Sequence, residues 1–179
     1  MAGMVHLIVD QPRTLQVPGT VHVRNKQIDA GELLAMIRHY QAQGRTVLVN
    51  SRVDVALAAG AAGVHLPSDS IAPSRWRKLL PPGFLIGVSC HSREELERAQ
   101  AEGADYAYLS PVFAPLSKPD DRPPLGMEGF KQLIAGLTLP VLALGGITWA
   151  HQQACEAAGA AGIAGISLSE RMDETREVP

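Results

Sequence analysis

The sequence is short of aromatic residues, which fill 4% of its 179 positions. It has almost no excess of either charge, with a formal net charge of −2. That balance leaves neither the basic footprint of a nucleic-acid binder nor a polybasic membrane patch, so neither kind of partner is expected. Cysteine is nearly absent: Cys90 and Cys155 stand far apart and match no metal-ligand spacing. Reduced thiols in a cytoplasmic protein are the expectation. No uncharged apolar run reaches the roughly 18 residues of a membrane-spanning helix. The start, Met-Ala-Gly-Met-Val-His, has no basic segment leading into a long apolar core, so no secretory signal is read there. What remains is a chain with 46% hydrophobic residues, enough for one soluble domain over residues 1–179 with a sizeable core. Abundant alanine and glycine suit helices packed closely on a parallel sheet.

The stretch that organises the rest is Leu139-Pro-Val-Leu-Ala-Leu-Gly-Gly-Ile147. Val141 to Leu144 reads as a strand buried on both faces, the kind found in parallel sheets. A helix over Thr148–Ala158 and a second buried strand over Gly162–Leu168 follow. Both strands run into small-residue turns, at Gly145-Gly146 and at Gly165-Ile166-Ser167, which leave backbone amides bare. Amides gathered this way form an anion cradle, and in an eight-stranded α/β barrel a phosphate usually sits after strands 7 and 8.

Earlier in the chain the same unit recurs. Strands are predicted at Val5–Val9, Val21–Asn25, Thr46–Val49, Leu85–Ser89 and Tyr106–Val112, with one more following the small-residue turn within Ala59-Gly-Ala-Ala-Gly-Val-His-Leu66. Helices are predicted at Gly31–Gln43, Arg52–Ala59, Pro73–Leu80, Arg93–Ala101 and Met127–Leu137. Strands alternating with helices imply βα units and a parallel sheet. Eight strands give a compact (β/α)8 TIM barrel. The ten residues after Asp10, with Pro12, Pro18 and Gly19, have no room for the first crossover helix, and the tail from Ser169 has none for a full last one. A doubly wound sheet would need a glycine-rich turn after the first strand, and Asp10-Gln-Pro-Arg is not one. Without that first helix the outer wall of strands 1 and 2 is expected to be open, which predicts a homodimer.

A barrel brings the C-terminal ends of all its strands to one mouth. Strand 2 contributes His22, Arg24 and Lys26, spaced by two and so on one side if the strand runs that far. The later strand ends contribute Asn50-Ser51, His65 with Ser68 and Asp69, Ser89-Cys90-His91, and Ser117-Lys118. His65, between Val64 and Leu66, is by itself more often a hydrogen-bonded core histidine, and Cys90 a small buried hydrophobe. Together the cations, the hydroxyls and one carboxylate suit a small phosphorylated, anionic substrate. For proton transfer the candidates are His22, His91 and a Cys90 thiolate.

The segments Asn50-Ser-Arg-Val-Asp-Val-Ala-Leu57, Gly63-Val-His-Leu-Pro-Ser-Asp-Ser70, Ile86-Gly-Val-Ser-Cys-His-Ser92, Gly103-Ala-Asp-Tyr106, Ser110-Pro-Val-Phe-Ala-Pro-Leu-Ser-Lys118 and Leu144-Gly-Gly-Ile147 resemble the thiamine phosphate synthase/TenI family in order and spacing. The resemblance implies a (β/α)8 barrel of thiamin biosynthesis and a homodimer. Synthases of the family join a pyrimidine diphosphate to a thiazole phosphate with magnesium. The TenI branch moves a proton on a thiazole carboxylate phosphate and requires no metal. By this resemblance Gly146, Ile166 and Ser167 hold the thiazole phosphate, while Arg24, Lys26, Asn50, Ser89, Ser117 and Lys118 hold the diphosphate. Asp69 matches one magnesium aspartate and Ser51 replaces the other, so metal binding is expected to be weak and to need a diphosphate ligand. Pro115 replaces a synthase threonine, and Pro111 stands where TenI tautomerases carry a histidine. His22, in place of a usual glutamine, and Leu66-Pro-Ser are closer to the TenI branch. The sequence reading is therefore a TenI-like thiazole tautomerase with His22, His91 and Lys118 as candidate catalytic groups. Thiamine phosphate synthase is the alternative, and a non-catalytic thiazole or thiamine phosphate sensor is the third possibility.

Overall fold

Alternation along the strands divides each into one outward and one inward set of side chains, and the barrel follows from that division. A computed structural model describes residues 3–114 and 122–169. Its eight strands are β1 (Met4–Val9), β2 (Thr20–Val23), β3 (Val47–Asn50), β4 (Gly63–Leu66), β5 (Leu85–Cys90), β6 (Tyr106–Leu109), β7 (Val141–Ala143) and β8 (Gly162–Gly165). Each pairs in parallel with the next, and β8 pairs with β1, so the sheet closes as a barrel. The helices are α1 (Ala30–Ala42), α2 (Val53–Ala58), α3 (Pro73–Arg77), α4 (Arg93–Ala101), α5 (Gly126–Ile134) and α6 (Gln152–Ala157).

Outward residues such as Leu7, Val9, Val21, Val23, Val64, Ile86 and Ile163 form one large apolar core with the helices, joined by Ile37, Leu96 and Phe130. The inward set is different. Ile8, Leu48, Tyr106, Tyr108, Leu142 and Ala164 form a second cluster, and His6, His22 and His65 are buried with it. Gly87 belongs to this inner face: a Cβ there would collide with the Tyr106 ring.

As expected, the β1–β2 connection has no helix. The open wall predicted from that absence is not found. Leu15 and Val17, 5% and 6% exposed, turn inward and join the main core. Residues on and just after α1 hold the loop through its backbone. Arg45 donates to Val17 O at 2.9 Å and Leu15 O at 2.6 Å, Gln43 donates to Arg13 O, and the Tyr40 hydroxyl donates to Gln11 O. Ten residues cover the wall because their carbonyls have dedicated donors and their apolar side chains have somewhere to go. With the wall covered, an open apolar face no longer argues for a homodimer.

Several strand and helix ends also differ from the sequence reading. β2 stops at Val23, short of Asn25, because Asn25 is engaged in a turn: its amide donates to Asp10 O and its Oδ1 accepts from Gln27 N. β6 stops at Leu109, where Pro111 lacks the N–H a longer ladder needs. β8 ends at Gly165, and Ser167–Ser169 form a 3-10 turn instead of the predicted strand end. The helix predicted from Thr148 begins as a 3-10 turn, Trp149–His151, with His151 Nδ1 accepting from Thr148 N. α3 is shorter than predicted, ending at Arg77. A truncated last helix would fall on residues 170–179, outside the described residues.

Candidate functional site

The C-terminal ends of the strands surround a cavity of about 350 Å³. Its lining includes Ile8, His22, Arg24, Asn50, His65, Ser89, His91, Tyr108, Arg122, Gly145 and Ile166. Of the predicted residues, His22, Arg24, Asn50, Ser89, His91 and Ile166 therefore meet at the mouth. Lys26 lies beyond the end of β2 and is exposed, outside this lining, because the alternation that would have aligned it stops at Val23. Ser117 and Lys118 lie outside the described residues.

β7 and β8 are neighbours, so their two turns form one floor. Gly145 and Gly146 take positive φ values of 95° and 61°. A Cβ at Gly146 would strike Phe113 and the Ala114 carbonyl, so only glycine fits there. The Ser167 hydroxyl donates to Ile147 O at 2.6 Å and ties the two turns together. The Gly145, Gly146 and Ile166 amides donate to no carbonyl among the described residues. Such amides can receive an anion. Ser167 itself serves as the clasp between the turns.

His91 donates from Nδ1 to Ser110 O at 2.8 Å. A carbonyl can only accept, so in the neutral ring Nε2 keeps its lone pair. The His91 amide donates to Glu95 Oε2, which fixes the start of this loop.

His22 is 1% exposed, and burial, followed by the charges of His6 and Arg24, pushes its pKa down to about 3. Its Nδ1 lies 3.3 Å from the Tyr108 hydroxyl, and its Nε2 has no hydrogen-bond partner among the described residues. His65 is a core histidine: Nδ1 meets the Tyr106 hydroxyl at 3.1 Å, Nε2 meets Ser89 Oγ at 2.9 Å, and the ring stacks on Tyr108 at 4.0 Å. Ser89 thus faces the mouth while already holding His65. The Cys90 thiolate is ruled out, because Cys90 is outward-facing and burial raises its pKa to about 12.

Asp69 is not at the mouth. It is exposed on the loop after β4 and lines an adjoining cleft of about 240 Å³, which also holds Ser70, Glu95 and Arg98 and shares Pro67, Ser68 and Ser89 with the mouth. Ser51, where the magnesium reading needs a second aspartate, offers a neutral oxygen that accepts from Asn50 Nδ2 at 2.9 Å. No group of three metal-capable side chains occurs among the described residues. A hard divalent ion prefers several oxygen donors, and this donor set does not fit a magnesium ion held by the protein.

The sequence reading missed Tyr108, Ser110, Arg122 and His6. Tyr106 and Tyr108, two apart in one strand, signalled a shared inner face. Nothing local in the sequence signalled which histidines they would meet.

The thiamine monophosphate synthase family model matches residues 13–168. The thiamine-phosphate synthase of Methanoculleus marisnigri is 44% identical over 151 residues, covering 82% of this chain and 72% of that protein. The putative thiamine-phosphate synthase 2 of Aquifex aeolicus is 43% identical over 139 residues, covering 78% and 72%. Among solved structures, a thiamine phosphate pyrophosphorylase from Pyrococcus furiosus superposes with a TM-score of 0.74 at 27% identity, covering 92% of this chain and 85% of that one. Sequence kinship over most of the chain and a matching closed barrel agree: the chain belongs to the thiamine monophosphate synthase family.

Proposed function

We propose that the protein is a thiamine phosphate synthase, joining a pyrimidine diphosphate to a thiazole phosphate. The thiazole nitrogen bonds to the pyrimidine methylene carbon as the carbon–oxygen bond to diphosphate breaks, and the bonding electrons leave with pyrophosphate. One observation carries this reading: Gly145 and Ile166, whose amides donate to no carbonyl among the described residues, lie on two tied turns and share a cavity with Arg24 and Arg122. Such a cavity suits two phosphorylated partners, one seated on amides and one on cations. The kinship to thiamine-phosphate synthases supports the same choice over the TenI branch.

In this reading the amides of Gly146 and Ile166 take the thiazole phosphate, with Ser167 holding their turns. Arg24, Asn50 and Ser89 face the diphosphate from the cavity lining. Lys26 lies outside that lining, and Ser117 and Lys118, which the family resemblance assigns to the same diphosphate, lie outside the described residues. The chemistry is mainly alignment of the two reactants and stabilisation of the departing charge.

A second reading, thiazole tautomerisation, is favoured by one nitrogen: the acceptor Nε2 of His91, a residue that lines the mouth. The test supplies purified protein and magnesium with the pyrimidine diphosphate and thiazole phosphate, and separately with the thiazole carboxylate phosphate. Thiamine phosphate and pyrophosphate in equal amounts are expected from the first mixture. Turnover of the second alone would replace the synthase with the tautomerase, and saturable binding without turnover in either would identify a sensor.

A further inference from the structure

Ser89 stands on the inner face of β5, paired in the sheet with Tyr108 of β6, and it lines the mouth cavity. The strand fixes where its side chain points but not where its O–H points, because a serine hydroxyl turns about its C–O bond. Among the described residues its side-chain partner is His65 Nε2, at 2.9 Å. His65 is 2% exposed, and its other nitrogen, Nδ1, meets the Tyr106 hydroxyl at 3.1 Å. Both ring nitrogens are engaged, so His65 acts on a ligand in the mouth only through Ser89.

We propose that His65 is a positioning residue for the diphosphate: its Nε2–H donates to Ser89 Oγ and leaves the Ser89 O–H to donate to a phosphate oxygen. The inference rests on the condensation reading, in which Ser89 faces the diphosphate. An ionised phosphate oxygen can only accept a hydrogen bond. If His65 Nε2 carried a lone pair instead, it would take the Ser89 proton, and Ser89 would present only lone pairs to the anion. One of the two His65 tautomers is therefore compatible with an anion held at Ser89.

The ring can keep that tautomer because it stays neutral. Burial, followed by the charges of His22, His6 and Arg24, holds its pKa well below the ordinary histidine value. With the single ring proton on Nε2, Nδ1 is a lone pair and the Tyr106 O–H donates to it. The Tyr106 oxygen can still accept from the Tyr108 hydroxyl, with which it is also hydrogen-bonded. The tyrosines thus satisfy the far side of the ring whichever ligand occupies the mouth, and the near side directs Ser89.

The test uses magnesium pyrophosphate at pH 8 as the probe, with binding read by calorimetry. Ser89→Ala is expected to lower affinity at least about tenfold, since hydrogen bonds to charged groups are among the stronger ones. His65→Leu is expected to lower it at least about threefold when Ser89 is present, and to have no further effect in Ser89→Ala. A general loosening of the core would cost the same in both backgrounds, so this non-additivity is specific to action through Ser89. His65→Gln, whose amide can donate in place of Nε2–H, is expected to recover most of the loss. Nitrogen-15 NMR of the unmutated, pyrophosphate-bound protein is expected to show His65 as the Nε2–H tautomer, a readout that does not depend on how well the variants fold. Equal losses from His65→Leu with and without Ser89, or a bound-state His65 protonated on Nδ1, would overturn the inference and leave the diphosphate reading in place. Wild-type protein that fails to bind the probe, or Ser89→Ala that binds it equally well, would overturn the diphosphate seat and the inference with it.

Discussion

At the residue scale, the inner face of the barrel sets a pH dependence. An exposed histidine titrates near 6.5, whereas His6 and His22 titrate near 4 and near 3 because they are buried. Between these values the unfolded chain binds protons that the folded chain does not, so stability falls as pH is lowered from about 6.5 towards 4. Each histidine adds a slope approaching about 1.4 kcal/mol per pH unit in that window. Chemical denaturation at a series of pH values is expected to show the decline, with a shallower one in His6→Gln. A flat profile from pH 7 to 4.5 would mean that these rings accept protons in place. This network was only half legible in the sequence. Spacing by two placed Tyr106 with Tyr108, but His6 and Tyr108 are 102 residues apart. Their meeting depends on barrel closure, which no local pattern encodes.

At the scale of elements, the βα rhythm was readable because parallel strands buried on both faces are continuous apolar runs between amphipathic helices. Their ends were less so. Asn25 ends β2 with side-chain hydrogen bonds, and that moved Lys26 out of line with His22 and Arg24. The loop before β2 was misread for a related reason: sequence showed the absence of a helix but not the donors on Tyr40, Gln43 and Arg45 that replace it. Leu15 is the apolar anchor of that loop. Leu15→Ala is expected to cost about 2–5 kcal/mol, the usual range for a buried leucine, and to open the β1–β2 wall to a hydrophobic dye. A loss below 1 kcal/mol, measured by urea unfolding, would show that the backbone bonds alone hold the loop.

At the scale of the molecule, one face gathers chemistry from strands far apart in sequence, and the two carboxylate positions of a magnesium site are not rebuilt there. Ser51 is neutral, and Asp69 lines the adjoining cleft and not the mouth cavity itself. Calorimetry is expected to find little magnesium binding to the protein alone and clear binding when pyrophosphate is added, since the diphosphate would supply the missing oxygens. Micromolar affinity without an added anion would point to donors elsewhere.

The central claim is that the turns after β7 and β8 seat a phosphate, and a thiazole phosphate titration tests it most directly. Ile166 is 48% exposed, so Ile166→Glu places a negative charge beside the bare amides with little cost to the core. The account predicts saturable binding to the wild type and affinity at least about tenfold lower in the variant, a change of about 1.4 kcal/mol, with an unchanged melting temperature. Equal affinity in the two proteins would contradict it.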